Sequence, residues 1–555
     1  MEPRRLRGNT NLMPWTRNPS WAALTVVGDS EQRFRGLVAV FPQGSYLALS
    51  AAGNYTVDWG DGSSDNVNSG VTANKLYDFN DADLDNTNAP VTLTDAGDLV
   101  ERTAHGYNDN MEVRFYNIVS TTGLTTGQTY YVINATANDF QVSATVGGSA
   151  IALTTNGSAT LLPYKQAIVN VTPNGGTLTS INLNVRNTTS GLQNYETGWL
   201  DIEVGSPNFT GLTLGGDGTV RFAMRERAAV RSIGSITNLS NLFLNNFKLQ
   251  SVTLGNTAAV TNMVGMFRNC ASLTTVPLFN TVAVTNMTNM FTGCSSLTSV
   301  PLFNTASVTN MTGMFQNCGA LPTVPLFNTA AVTSMYLMFG GCRSLSNVPL
   351  FNTAAVTDMR SMFNPCVSLT SVPLFNTAAV TNTTEMFRDC PLATVPLFNT
   401  AAMTNMQQMF QNCSLLIAVP LFNTAAATNM RQMFNGCTSL ATVPLFNTAA
   451  ATNMSNMFAS CSSLASVPAL NVSSVSSSAN FNNMFAGCNS LSRIQAANFN
   501  YTFSVASCKL GSTELNEIYT NLPTVTGQTI TVSNNVGTAG DNPTIATAKG
   551  WTVTG

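Results

Sequence analysis

Apolar residues in the second half of the chain recur with a period of 24 residues. One copy starts at Val300 and reads VPLFNTASVTNMTGMFQNCGALPT, and the hexapeptide VPLFNT occurs eight times. A period of this length is typical of a solenoid, in which each coil buries its apolar face only against its neighbours. The pattern therefore predicts about ten stacked coils over residues 251–495.

Each repeat contains two groups of apolar positions. Leu297, Val300 and Leu302 form an LxxVxL pattern, which is typical of a short strand with these side chains pointing inward. The second group follows at spacings of three, three, one and three, which is a helical stripe: Val308, Met311, Met314, Phe315 and Cys318. The sequence thus predicts an α/β solenoid whose unit is a strand, a turn and a short helix.

The constant proline and asparagine of each repeat lead to two further expectations. Pro301 and its equivalents would each remove a ladder hydrogen bond, so either the strand is very short or the coils no longer pair at this point. The asparagines, such as Asn304, are expected to form a buried ladder that satisfies backbone groups. On that hypothesis Asn304→Ala costs about 1–3 kcal/mol.

The repeat SLTSVPLFNTASVTNMTGMFQNC resembles the BspA-like leucine-rich repeats found in bacterial surface proteins. The resemblance extends over about 235–495, and VTNMxxMFxxC carries it. It departs from the family at the proline, where the family often has Asp. Residues 187–250 are expected to form a transition and amino-terminal cap, and 496–555, which include STELNEIYTNLP, a carboxyl-terminal cap.

Short alternating runs bounded by turn residues predict a β-rich amino-terminal region. Within it, YTVDWGDGSS resembles the hairpin of polycystic-kidney-disease-type (PKD) sandwich domains, and the sandwich is expected to comprise residues 36–80 and 164–186. Asp58 and Asp61 suit turn formation better than calcium binding, because two carboxylates are too few for a calcium site.

Residues 81–163 interrupt that sandwich and are expected to form a small inserted β module. Their core, TTGQTYYVINATANDFQVS, resembles a module of bacteriophage tail and fibre proteins. The expected fold is therefore multidomain, with a β-rich amino-terminal region followed by the solenoid.

Residues 1–35 are expected to form an extended arm, since three prolines interrupt any helix. The arm contains Trp15, Arg17 and Trp21. A free arm would not usually expose two tryptophans. They are expected either to pack on the next domain or to dock into a partner subunit.

The composition of the chain excludes several classes of function. Charged residues make up 9% of the chain and the formal net charge is −3, so there is no basic face for nucleic acid. No apolar run is long enough to span a membrane, and the first residues lack the apolar segment of a secretory signal. The eleven cysteines recur at one phase of the repeat, which indicates buried thiols, and the single histidine, His105, has no Cys or His near it in the sequence. We expect no metal and no cofactor.

The sequence contains no catalytic motif, so the protein is not expected to be an enzyme. Residues that vary between repeats are the candidates for recognition, because they interrupt an otherwise constant pattern: Tyr336, Arg343, Arg360, Arg388 and Arg431. The alternative interpretation is that these positions are solvated and vary freely.

Together these features favour a structural protein of a tailed phage, for example a marine phage or cyanophage. It would be a fibre, appendage or head-decoration subunit at the virion surface, and it would bind other virion proteins through its amino-terminal region. A host-surface glycan or protein is a second candidate partner, and fibre analogy suggests a trimer. The alternative is a bacterial cell-surface adhesin.

Overall fold

The structure is a computed structural model that describes residues 23–40, 45–77, 89–103, 109, 112–162, 165–185, 199–215, 225–475, 481–495 and 499–555. The chain divides into two compact units. The first comprises 1–236 and 242–257, and the second comprises 237–241 and 258–555. The predicted domain boundaries inside these units remain predictions.

The described part of the first unit consists of strands. In chain order they are β1 (Arg33–Val40), β2 (Ser45–Ala52), β3 (Tyr55–Asp58), β4 (Ser64–Val67), β5 (Thr72–Tyr77), β6 (Ala89–Thr94), β7 (Leu99–Glu101), β8 (Glu112–Val119), β9 (Thr129–Ile133), β10 (Asp139–Ser143), β11 (Gly157–Leu162), β12 (Lys165–Pro173), β13 (Ser180–Asn182), β14 (Trp199–Gly205), β15 (Gly211–Thr213), β16 (Arg227–Ser232) and β17 (Ser251–Leu254).

Two open sheets and a barrel are built from these strands. The larger sheet has the order β17-β16-β14-β1-β12-β3-β4, and the smaller has the order β15-β13-β2-β5. A hydrogen bond from the Tyr77 hydroxyl to the Trp59 carbonyl (2.8 Å) links the end of β5 to the turn after β3. Strands β6 to β11 close a barrel in the order β10-β7-β6-β11-β8-β9. The barrel lies within residues 81–163, and the buried rings of Phe115 and Tyr130 pack in its core with centroids 5.9 Å apart.

The two aspartates of the segment YTVDWGDGSS stabilise the turn between β3 and β4. The Asp58 carboxylate accepts a hydrogen bond from the Gly60 N–H (3.0 Å), and the Asp61 carboxylate accepts one from the Ser63 hydroxyl (2.6 Å). Asp61 is buried and forms an ion pair with Lys75. Burial opposes ionisation, but the hydrogen bonds from Lys75 and Ser63 outweigh it and lower the pKa of Asp61. Both carboxylates are therefore used inside the hairpin.

The repeat region of the second unit is a solenoid of stacked coils. Single parallel bridges join one residue of each coil, which in most coils directly precedes the first methionine, to its counterpart in the next coil. They run through ten rows: Asn238, Asn262, Asn286, Asn310, Ser334, Asp358, Asn382, Asn405, Asn429 and Asn453. The phenylalanines of MF stack in almost parallel planes, and the rings of Phe291 and Phe315 have centroids 5.6 Å apart. Valine, methionine and cysteine columns are buried beside them.

Two consecutive turns take the place of the predicted helix, so the unit is not α/β. The Gly313 N–H donates to the Tyr336 carbonyl of the next coil (2.8 Å), and the Phe315 N–H donates to the Met338 carbonyl (2.9 Å). In an α-helix each N–H would instead donate to the carbonyl four residues earlier in the same segment. Gly313 and Asn317 both have a φ of +60°, which ends each turn in the left-handed region. Apolar spacings of three, three, one and three are therefore produced here by turns.

Threonine, and not asparagine, forms the buried polar ladder. Thr305 is 1% exposed, and its hydroxyl donates to the Asn328 carbonyl of the next coil at 2.8 Å. Asn304 is exposed, and its side-chain oxygen accepts a local hydrogen bond from the Ala306 N–H at 3.1 Å. The threonine bond recurs along the array: Thr281, Thr305, Thr329, Thr353, Thr377, Thr400, Thr424 and Thr448. The expectation of an asparagine ladder was wrong.

The proline lies where neighbouring coils do not pair through their backbones. Ladder bonds are made by the N–H groups of Thr298 (2.9 Å) and Thr309 (3.0 Å), on either side of this segment. Between them, the Phe303 N–H donates to the Pro301 carbonyl two residues back (3.0 Å), which closes a tight γ-turn. Leu302 at its apex is 59% exposed, so the expectation that it points inward was wrong.

The last described part of the chain contains short strands and the two helices found among the described residues. They are β18 (Ser466–Val467), β19 (Arg493–Ile494), β20 (Phe503–Ser504), α1 (Ser512–Asn521), β21 (Gln528–Thr531), α2 (Thr544–Thr547) and β22 (Trp551–Thr554). Strands β20, β21 and β22 form a parallel sheet, and Trp551 packs edge-on against Phe503 with centroids 5.9 Å apart.

Candidate functional site

The two turns of each coil carry the side chains that vary most between repeats. The position two residues after the bridge column is, in successive coils, Val264, Thr288, Thr312, Tyr336, Arg360, Thr384, Gln407, Arg431 and Ser455. The structure therefore places three predicted recognition residues, Tyr336, Arg360 and Arg431, in one column. Arg388 lies in the second turn of its coil, and Arg343 directly follows the cysteine of its coil.

Tyr336 and Arg360 lie in adjacent coils and contact each other. The Arg360 guanidinium lies over the Tyr336 ring at 4.7 Å from its centroid. The same guanidinium donates to both carboxylate oxygens of Asp358, at 3.0 and 2.7 Å. These hydrogen bonds raise the pKa of Arg360. The arginine is thus held in one orientation with one face of its guanidinium against the tyrosine.

A second group of polar side chains adjoins this pair. The Glu385 carboxylate accepts hydrogen bonds from Ser361 (3.2 Å), Asn364 (3.0 Å) and Arg388 (3.0 Å). Arg388 also forms an ion pair with Asp389 at 3.3 Å. Ser361 directly follows Arg360, so the two groups are contiguous. We call Tyr336, Asp358, Arg360, Glu385, Arg388 and Asp389 the polar cluster.

The cluster is concentrated in the middle of the array. Residues 258–470 contain eight charged side chains, and five of them belong to the cluster. Arg343 and Arg431 are exposed, and no ion pair forms on their guanidinium groups among the described residues. The structure therefore brings together three of the five predicted recognition residues and leaves Arg343 and Arg431 apart. The predicted docking residues Trp15, Arg17 and Trp21 lie outside the described residues.

Asp358 is the part of the cluster that sequence reasoning missed. It occupies the bridge column, where most other repeats have Asn. The change from amide to carboxylate in one coil, two residues before Arg360, was the available signal.

The cysteines are unsuited to nucleophilic chemistry. All eleven are buried with free thiols. Burial raises the pKa of the Cys342 thiol to about 12, because the thiolate would be desolvated. The Cys342 thiol also donates to the Phe315 carbonyl of the preceding coil at 3.0 Å. The cysteine column is thus part of the core, and nucleophilic chemistry needs an accessible thiolate.

In the first unit, a polar hollow of about 430 Å³ is lined by residues that include Arg33, Arg35, Asp58 and Asn170. Arg35 donates to the Asn170 side chain (3.3 Å) and to the Thr25 carbonyl (2.9 Å), so its guanidinium is occupied within the protein. The Asp58 carboxylate accepts the Gly60 N–H within its own turn.

Metal-ligand geometry is not found in the part of the chain that the structure describes, where no three His, Cys, Asp or Glu side chains come close enough to hold an ion.

None of the described helices is both long and apolar enough to cross a membrane.

The repeat region matches the family described as Mycoplasma protein of unknown function, DUF285, at residues 237–348, 299–395, 320–416 and 392–499. Together these matches span 237–499, a little under half of the chain. No curated protein matches the sequence.

Solved leucine-rich repeat proteins are similar to parts of the chain. One from Eubacterium ventriosum is 16% identical, covers 50% of this chain and 81% of its own, and gives a TM-score of 0.31. A leucine-rich repeat protein of T. pallidum is 18% identical, covers 39% of this chain and 76% of its own, and gives a TM-score of 0.18. Because these identities and TM-scores are low, the solenoid is assigned from the chain's own structure, namely the hydrogen-bond ladders and stacked side-chain columns of its coils.

Proposed function

We propose that the protein is a non-enzymatic structural and binding protein at the surface of a phage virion, as a fibre, appendage or head-decoration subunit. The observation that carries the binding role is the polar cluster, a charged and aromatic group on an otherwise repetitive and nearly uncharged array. Specificity on a repeat scaffold depends on such departures from the repeat, because most of the constant residues are buried and stack on their copies in neighbouring coils.

The Glu385 carboxylate supports a role for the cluster in binding. Its backbone does not set it apart, because Leu337, Gln408 and Gln432 occupy the same position of other coils and also have positive φ. The side chain does set it apart, because its carboxylate accepts hydrogen bonds from three neighbouring side chains and so organises the group around it. A charged side chain that organises its neighbours on a nearly uncharged array is a candidate functional residue.

The chemistry of the cluster suits a polar partner. An arginine stacked on tyrosine presents a flat surface with hydrogen-bond donors at its edge, and the neighbouring carboxylates supply acceptors. A glycan or a polar protein loop on a host surface would match these groups.

The virion assignment depends on the amino-terminal module. The segment TTGQTYYVINATANDFQVS, which resembles phage tail and fibre modules, contains strands β9 and β10 of the closed barrel. The second candidate function is a bacterial cell-surface adhesin, favoured by the resemblance of the repeats to BspA-like surface proteins.

Fractionation separates the two proposals. Phage particles and cell envelopes from the producing culture would be purified, and peptides of this chain quantified in both by mass spectrometry. The virion proposal predicts peptides at a fixed ratio to the capsid protein in density-purified particles. Presence in envelopes with absence from particles would refute it and favour the adhesin.

The binding role is tested separately with Glu385→Gly, which removes the central carboxylate and suits the left-handed backbone. We expect weaker binding of the labelled full chain to host cells with no loss of thermal stability. Arg268→Ala is the control, because Arg268 is exposed on the solenoid outside the cluster. Equal binding by both variants and the unmodified protein would refute a role for the cluster.

A further inference from the structure

The γ-turns of successive coils place one exposed leucine above another. Each leucine at the apex is 57–67% exposed, whereas the valine two residues before it and the phenylalanine after it point inward. We call these eight residues the leucine column: Leu278, Leu302, Leu326, Leu350, Leu374, Leu397, Leu421 and Leu445. All of them lie in the second compact unit.

Packing and hydrogen bonding within the coil do not explain why the apex residue is always leucine. The neighbouring constant residues have local roles, since Pro301 accepts the γ-turn bond and Asn304 accepts the turn bond from Ala306. The side chain of Leu302 points to solvent at the apex, where a polar residue would serve equally well. In contrast, the half-buried position of Thr312 is Tyr, Arg, Gln or Ser in other copies. An exposed apolar residue repeated eight times without change indicates a surface that is covered.

From this surface we infer that the protein self-associates, with the leucine column of one chain packed against the leucine column of a second copy.

Charge favours a second copy over a charged partner. The nine-residue segment around each leucine, such as 298–306, contains no Asp, Glu, Lys, Arg or His in any of the eight copies. A basic or acidic partner would therefore bury charges with no counter-charge on this surface, which is unfavourable. Pairing with an identical uncharged column buries no charge and so avoids this cost.

The repeat itself also favours a second copy. A second solenoid of the same repeat has the same spacing between its rows, so the two leucine columns stay in phase over all eight rows.

The area is sufficient for a specific contact. At roughly 100 Å² of apolar surface for a leucine side chain, eight that are about 60% exposed present roughly 500 Å² per chain. Pairing of two columns then buries about 1,000 Å² from leucine alone, close to the lower limit of specific interfaces. Ile417, which is 57% exposed, lies in the segment next to Leu421 and extends the apolar surface.

The test measures the mass of the full chain by light scattering after size exclusion, over a hundredfold range of concentration. We expect an assembly of more than one chain. Leu326→Glu/Leu350→Glu should give the mass of one chain with an unchanged circular dichroism spectrum, because both leucines are exposed. Val367→Glu is the matched control, since Val367 is 49% exposed in the same part of the array but in another column, and it should assemble like the unmodified protein.

A second measurement does not depend on those substitutions. All native cysteines are buried, so Leu350→Cys introduces an accessible thiol that a short bis-maleimide can join only to its counterpart in another copy. Cross-linked pairs are expected for Leu350→Cys and not for Val367→Cys. A single-chain mass at every concentration, persistence of the assembly in the double glutamate variant, or absence of the Leu350→Cys cross-link would each overturn the inference. None of these results depends on whether the protein is displayed on a virion or on a cell.

Discussion

Replacing Thr353 with valine should destabilise the solenoid although the two side chains have nearly the same size. Thr353 is 0% exposed, and its hydroxyl donates to the Asn376 carbonyl of the next coil at 2.7 Å. Valine fills the space but cannot donate. The substitution therefore isolates the hydrogen bond from the packing around it.

The expected loss is about 1–2 kcal/mol. A net intramolecular hydrogen bond contributes about 1 kcal/mol, and a buried acceptor left without its donor adds a desolvation cost of similar size. Thr353 lies in the middle of the array, with a coil stacked on either side. The effect should therefore not be diluted by fraying at an end of the solenoid.

Asn352→Ala is the matched control. Asn352 precedes Thr353 and is exposed, and its side-chain oxygen accepts a local bond from the Ala354 N–H at 3.2 Å. Its backbone carbonyl, which accepts the ladder bond from Thr329, is unchanged by the substitution. Because water can replace the local bond, its loss should cost less than about 0.5 kcal/mol.

Both variants would be unfolded in urea and followed by far-ultraviolet circular dichroism, and stabilities would be compared from the midpoints at unchanged slope. A midpoint for Thr353→Val equal to that of the unmodified protein would refute the threonine ladder. A larger effect from Asn352→Ala would restore the asparagine ladder that the sequence suggested.

Three further predictions concern other parts of the structure. Phe339→Ala removes a buried ring stacked between Phe315 and Phe363, each 5.7 Å away, and should cost about 3–5 kcal/mol in the same urea assay, whereas the exposed Leu350→Ala should cost far less. Lys75→Met removes the positive charge paired with the buried Asp61 carboxylate and should cost about 3 kcal/mol. The double variant Asp61→Asn/Lys75→Met should recover most of this loss, because no buried charge is then left without a counter-charge. Unfolded thiols ionise near pH 9 while folded Cys342 holds its proton to about 12, so stability should be fully present below pH 9 and fall by about 1.4 kcal/mol per pH unit for each such thiol above it. Urea midpoints measured from pH 8 to 11 check the slope, and a flat profile would contradict it.

The repeat period predicted the solenoid and most of its interior. The valine, methionine, phenylalanine and cysteine columns are buried as the spacing indicates. This success has a simple cause, since a side chain repeated at a fixed phase in every coil must meet its own copies when the coils stack.

Backbone conformation inside the coil was not predictable from the same spacing. A helix and two successive turns both place apolar residues on one side every three to four positions. The deciding feature is the pair of left-handed residues, such as Gly313 and Asn317, four residues apart. Gly or Asn at both positions in several copies was a turn signal. The helical interpretation did not use that signal, and residues such as Glu385 at the equivalent position obscured it.

The orientation of the polar residues was harder to predict, because residue type alone does not show whether a side chain points into the core or to solvent. Asn304 and Thr305 are adjacent and constant, and either could point inward. The γ-turn at Pro301 decides the outcome, since it turns Phe303 inward and leaves Leu302 at the apex. Thr305 then points inward by alternation from Phe303, and Asn304 outward. The structure of a three-residue turn thus sets which polar column is the ladder.

Two surface columns of the solenoid differ in how constant they are, and the difference bears on their roles. A surface that pairs with itself over many rows must present the same side chain in each row, because one altered row interrupts the contact. A surface that recognises a different molecule must differ from row to row, because uniform rows cannot mark a position along the array. The leucine column has the first property, and the column of Tyr336, Arg360 and Arg431 has the second. We therefore expect Glu385→Gly to leave self-association intact and Leu326→Glu/Leu350→Glu to leave the polar cluster intact. Loss of both properties in either variant would show that the two surfaces are not independent.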